Sequence, residues 1–152
     1  MAGYTITRSI DVDAEPSTLH ALVDDFHEWT KWSPWEDVDP ALQRTYSGAE
    51  RGVGAHYAWS GNRRAGQGSM EIVGSTPEQI AVKLVFEKPW KAENPVEFSF
   101  APTGAGTRVT WTMSGENTGM AAVFAKVFNM DKMLGKDFDK GLARLKAVAE
   151  EG

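Results

Sequence analysis

From residue 57 to residue 113 the large apolar side chains return at every second position. Tyr57 and Trp59 keep one phase, as do Met70 with Ile72, and Ile80, Val82, Leu84 and Phe86. Val96, Phe98 and Phe100 follow, then Val109, Trp111 and Met113. Period two marks a strand with one buried face. Ser60-Gly61-Asn62, Ser75-Thr76-Pro77-Glu78 and Thr103-Gly104-Ala105-Gly106 divide the runs. Short turns of this kind join strands antiparallel. After Gly119 the period becomes that of a helix. Phe124, Val127, Phe128, Leu134, Phe138, Leu142, Leu145 and Val148 lie near one stripe, with the lysines mostly off it. Gly135 and Gly141 are expected to weaken this helix locally.

The first third is less regular. Ile6, Ile10 and Val12 share a phase, which predicts a strand from Thr5 to Val12. Glu15-Pro16-Ser17 opens a helix carrying Leu19, Leu22, Val23 and Phe26 at helical spacing. The run WTKWSPWEDVDP holds three tryptophans and two prolines and reads as a loop or a short broken helix. Leu42 to Tyr46 reads as a short strand.

Area then decides the architecture. Six to seven antiparallel strands form one broad sheet, and the only large apolar element left to cover it is the C-terminal helix. The fold class is therefore α+β: a curved antiparallel sheet wrapped around a long C-terminal helix, with two short helices after strand one. No linker or repeat divides the chain, so residues 1–152 form a single domain. One helix does not fill the concave side of such a sheet. A packed core and an internal cavity both remain open, and Trp59, Phe86, Phe98, Trp111, Met113 and Phe128 aim at that space.

Composition removes several classes of function. There is no cysteine, which excludes disulfides, thiolate metal sites and a cysteine nucleophile. The net charge of −5 argues against a nucleic-acid partner. Neither a signal peptide nor an apolar run long enough to span a bilayer is visible, so no stable membrane insertion and a cytoplasmic location are expected. No cofactor is expected. Six tryptophans suit an apolar cavity with a polar rim.

Several segments carry a resemblance. They are Ala14-Glu15-Pro16, Leu22-Val23-Asp24-Asp25-Phe26, Trp32-Ser33-Pro34-Trp35-Glu36, Gly52-Val53-Gly54-Ala55, Tyr57-Ala58-Trp59 and Gly104-Ala105-Gly106-Thr107-Arg108-Val109-Thr110-Trp111. Gly135-Lys136-Asp137-Phe138, Gly141-Leu142 and Leu145-Lys146 complete the set. In this order the chain resembles the helix-grip fold of the START and birch-pollen-allergen-like superfamily, SRPBCC, in its polyketide cyclase/dehydrase-like branch. The resemblance covers nearly the whole chain and implies an apolar cavity between sheet and helix, used for lipids, steroids or aromatic polyketides. It implies no catalytic residue, because the superfamily shares no catalytic motif.

Three functions follow as expectations. The first is a carrier or sensor that binds a small apolar molecule. Tyr57, Trp59, Leu84, Phe86, Phe98, Trp111, Met113, Phe128, Leu134 and Phe138 line its cavity, with Asn94 and Arg8 as polar anchors. The second is a cyclase/dehydrase-type enzyme in the same cavity. Glu36 beside Trp35 is its weak catalytic candidate, since an apolar setting raises a carboxyl pKa toward acid–base use. The third is a cavity-free interaction protein, with a monomer or homodimer equally open. Arg8 and Arg44 break the apolar phase of their strands and need a partner or a route to solvent. His20, His27 and His56 read as solvated, without metal-ligand spacing, and no serine sits in a nucleophile elbow. Trp29, Trp32 and Trp35 are expected to plug an end of the grip or guard its entrance, and Trp90 to lie on its rim.

Overall fold

The computed structural model describes residues 3–34, 41–61, 66–88, 92–116 and 130–151. Strand β1 (Gly3–Val12) leads into helix α1 (Pro16–Asp24) and a 3-10 helix (Glu28–Lys31). Six strands follow: β2 (Gln43–Gly48), β3 (Ala55–Ser60), β4 (Gln67–Thr76), β5 (Gln79–Lys88), β6 (Ala92–Pro102) and β7 (Thr107–Glu116). Helix α2 (Met130–Glu151) completes the described chain. The seven strands form one sheet in the order β1-β7-β6-β5-β4-β3-β2, antiparallel throughout. This is the sheet and C-terminal helix that the two sequence periods predict, in the helix-grip arrangement that the resemblance implies.

Register puts the apolar phases on one face. Ile6 lies across from Met113, Val96 from Met113, Phe98 from Trp111 and Ile80 from Phe98. Val82 faces Ile72, and Tyr57 faces Met70. Because side chains alternate, a one-residue slip anywhere would turn a whole strand outward, so the shared apolar face fixes the pairing. The β4–β5 ladder shifts register at Gln67/Gly68 and again at Ile72/Gly74, irregularities that bend a strand. Strand β6 runs through Pro95 instead of stopping there. The β7 ladder starts only at Val96, so a residue without an N–H costs that ladder nothing.

Of the tryptophans expected to plug an end of the grip or guard its entrance, Trp29 and Trp32 belong to the interior. Trp29 is 5% exposed and Trp32 is 0% exposed. Helix α1 is only nine residues long and ends with carbonyls that have no partner in its own ladder. Trp32 Nε1 donates to Leu22 O at 2.9 Å, and Trp29 Nε1 donates to Val23 O at 2.8 Å. Each indole thus satisfies a helix end while its apolar body fills the core. A phenylalanine could do only half of this.

Helix α2 packs along β1 and reaches β7 through the Trp111–Phe138 pair. Trp111 and Phe138 lie face to face, with centroids 4.1 Å apart and planes 4° apart. That approach requires the glycine one turn along. A Cβ on Gly141 would lie 2.8 Å from Pro34 Cδ and 3.1 Å from Trp111 Cζ3. The sequence reads this glycine as a weak point in the helix, whereas the packing makes it the contact surface.

Two outcomes are expected. Gly141→Val improves helix propensity yet lowers stability by about 1–3 kcal/mol through overpacking, measured by urea unfolding; a gain would contradict the close approach. Trp32→Phe removes the donor to Leu22 O and lowers stability by about 1–3 kcal/mol in the same assay.

Candidate functional site

The inner face of the sheet has two unlike halves. On the β1–β7–β6 side it is closed. Trp111 lies between Phe138 and Phe98, the latter at 4.9 Å and 29°. Trp32 meets Phe98 and Trp111 edge-on at 5.8 and 5.7 Å, and Trp29 packs against Trp32 at 4.6 Å. Of the residues expected to line a cavity, Phe98, Trp111, Met113 and Phe138 stand here, all buried. Stacked and edge-to-face rings at these separations are each worth about 0.5–1.5 kcal/mol beyond area burial.

On the β2–β5 side the face is not closed to the same degree. Tyr46, Trp59, Met70, Leu84 and Phe86 are only half-buried, although they share the inward phase of buried Tyr57. Their rings form a strip. Tyr46 lies 5.3 Å from Tyr57, Tyr57 stacks on Trp59 at 6.2 Å and 21°, and Trp59 meets Phe86 at 5.9 Å and 87°. Gly68 makes the floor. It faces Trp59 across the β3–β4 pair, and a Cβ there would lie 2.6 Å from Trp59 Cη2 and 2.8 Å from Cζ2. The indole therefore lies against the sheet, over the Gly68 backbone. Asn94 faces Leu84 at the end of this strip, 3% exposed, and its Nδ2 donates to Ser114 O at 3.0 Å.

The arginines stand at opposite edges of the same face. Arg8 pairs with Trp111 in register, and Arg44 pairs with Trp59. Arg8 lies against α2 at Gly135, with Nε 3.7 Å from Asp139 Oδ2 and Nη1 donating to Thr7 O at 2.9 Å. It bridges strand and helix on the closed half. Arg44 is exposed beside the open half.

Two histidines are more engaged than their spacing suggested. His20 is half-buried, edge-on to Phe100 at 5.9 Å. Its Nε2 lies 3.2 Å from Ser75 Oγ, which donates to Asp24 Oδ1 at 2.8 Å. The serine proton goes to the carboxylate and not to the imidazole, so this chain latches α1 to the β4–β5 hairpin and does not relay a nucleophile's proton. His27 follows the end of α1. Its Nδ1 lies 2.8 Å from Asp25 Oδ1, and its ring stacks on Tyr46 at 4.0 Å and 19°. His56 points to the opposite face, with Nδ1 3.4 Å from Ser47 Oγ.

Glu36 and Phe128 lie outside the described residues, as do Trp35 and Trp90; of Leu134 only the backbone position on α2 is described. Among the described residues no three of His, Asp, Glu and Cys come together to hold a metal ion, and no helix is long and apolar enough to cross a membrane. The resolved pKa shifts lie on the rim of the fold. The Arg108 hydrogen bond holds the Asp11 carboxyl below its ordinary value, and the Lys146 hydrogen bond does the same for Glu150. Two surface hollows lie away from the strip. One, of about 480 Å³, lies against the β4–β7 strands beside Val73, Lys83, Glu93 and Thr112. The other, of about 690 Å³, lies between the start of α1 and the β4–β5 turn. Tyr46 and Met70 are members of the strip that the sequence reading left off its lining. The strand phase holds both, since Tyr46 faces Tyr57 and Met70 faces Tyr57 and Leu84.

Comparison with known proteins agrees with this geometry at the level of fold. A Chromobacterium violaceum protein superposes with a TM-score of 0.67 at 14% identity, covering 96% of this chain and 97% of its own. A Nitrosospira multiformis protein gives 0.68 at 18% identity, with 96% of each chain covered. The di-domain ARO/CYC StfQ from the steffimycin biosynthetic pathway gives 0.71 at 11% identity, with 98% of this chain matching 51% of StfQ. No curated protein matches the sequence. The family model described as polyketide cyclase/dehydrase and lipid transport matches residues 4–150, and the chain belongs to that family.

Proposed function

We propose that the β2–β5 half of the inner face binds a small apolar molecule against Tyr57, Trp59, Met70, Leu84 and Phe86, with Asn94 as the buried polar group at its end. One observation carries this reading. On a single concave face, one half is sealed by stacked rings, while the other holds large apolar side chains that are only half-buried. Leaving that surface wet forgoes about 25 cal/mol for each Å² that a ligand would cover. A concave, mostly apolar wall with few polar groups is the usual form of a small-molecule site.

The family's description joins cyclase/dehydrase with lipid transport, and binding of an apolar molecule is common to both. The family's description supports polyketides as one ligand class. The acidic balance and the absence of a long apolar helix among the described residues support a cytoplasmic carrier without a nucleic-acid partner.

Nile red fluorescence tests the site with two matched variants. Leu84→Glu sets a carboxylate on the strip and is expected to weaken binding at least about tenfold, since a buried unpaired charge is costly. Val73→Glu, at an exposed position on the opposite phase of the sheet, is expected to leave binding unchanged. Equal binding by both variants, or no binding by the parent protein, would refute the assignment.

A further inference from the structure

The aromatic strip does not end at Tyr46. It continues onto the imidazole of His27, stacked on Tyr46 at 4.0 Å and 19°. Asp25 fixes that ring twice over. Asp25 Oδ1 accepts the His27 backbone N–H at 2.9 Å and lies 2.8 Å from His27 Nδ1. A carboxylate at Nδ1 holds the proton on that nitrogen and leaves the Nε2 lone pair as an acceptor. The two groups come from the three-residue turn Asp25-Phe26-His27 between α1 and the 3-10 helix, so the imidazole is held by its own backbone, the carboxylate and the tyrosine ring together.

We propose that His27, positioned by Asp25, is the polar end of the ligand site and takes a hydrogen bond or a proton from an acidic hydroxyl of the ligand, a phenol or an enol. This rests on the strip being the binding surface. The same geometry disfavours a ligand that carries a carboxylate at that end. The negative charge of Asp25 stands against one. His27 is exposed while Trp59 and Leu84 lie deeper on the sheet. The ligand's apolar body therefore points inward and its hydroxyl outward. If the proton moves fully, the O–H bond breaks, Nε2–H forms, and the phenolate or enolate is left beside an imidazolium paired with Asp25. No other reactant is needed. Such a base would serve either to select a ligand or to begin enolate chemistry.

Three probes with one naphthalene body separate the possibilities: 2-naphthol, 2-methoxynaphthalene and 2-naphthoate. The expected order is naphthol about tenfold tighter than the methyl ether, the worth of one good hydrogen bond, with naphthoate weakest. 2-Naphthol is also a photoacid, so a proton acceptor in contact gives naphtholate emission when the bound dye is excited beyond tryptophan absorption. The parent protein should show that emission above the level of the free dye in buffer. His27→Phe keeps a ring on Tyr46 and should bind naphthol and its ether equally, with the naphtholate fraction falling to that of the free dye in buffer. Asp25→Asn should lower the naphtholate fraction. If both neutral probes bind equally to the parent protein, with no naphtholate emission beyond that of the free dye, the site stands and the role of His27 falls. If neither binds, both fall.

Discussion

The architecture turns on Trp111. Its indole is held between Phe98 on the neighbouring strand and Phe138 on α2, at 4.9 and 4.1 Å. This stack joins sheet to helix, with Trp29 and Trp32 packed against its edges. The same two indoles cap the carbonyl end of α1. Gly141 lets α2 come down onto the ring, and Arg8 ties β1 to the helix beside Gly135. Strand, helix and the short helical corner after β1 are thus anchored to one aromatic side chain.

Closing one half so tightly leaves the other half unequal to it. A seven-stranded sheet presents more inner face than the described part of α2 covers at β1 and β7. On the strands farthest from that anchor, β2 to β5, Tyr46, Trp59 and Phe86 stay half-buried around a buried Tyr57. Gly68 lets Trp59 lie against the sheet. The site is thus the complement of the core: the same residue types in the same strand phase, but half-buried where Trp111 is clamped.

Much of this was legible from spacing. Period two in β4 to β7 and the 3.6 period of α2 fix the architecture because each element buries one face only, and the matching segments pointed to the same superfamily that residues 4–150 then showed. What spacing does not carry is the difference between Trp111 and Trp59. Both stand in the inward phase of a strand. One is clamped against α2 beside Gly141 and the other lies half-buried over Gly68, contacts that no local pattern reveals. The donors that Trp29 and Trp32 supply to α1 are invisible for a similar reason, since a tryptophan-rich loop reads equally as rim or as core. His27 looked like a solvated residue because its meaning lies in Asp25 and Tyr46 together, and Tyr46 arrives only by strand pairing.

The central claim is that a ligand meets one half of the inner face and not the other. The indole N–H resonances report this directly, because Trp59 lies in the open half while Trp29, Trp32 and Trp111 lie in the closed one. In a two-dimensional ¹H–¹⁵N spectrum titrated with 2-methoxynaphthalene, the account predicts a progressive, saturating shift of the Trp59 indole signal, with the other three nearly unmoved. Larger shifts at Trp111 or Trp32 than at Trp59, or no shift at Trp59, would contradict it.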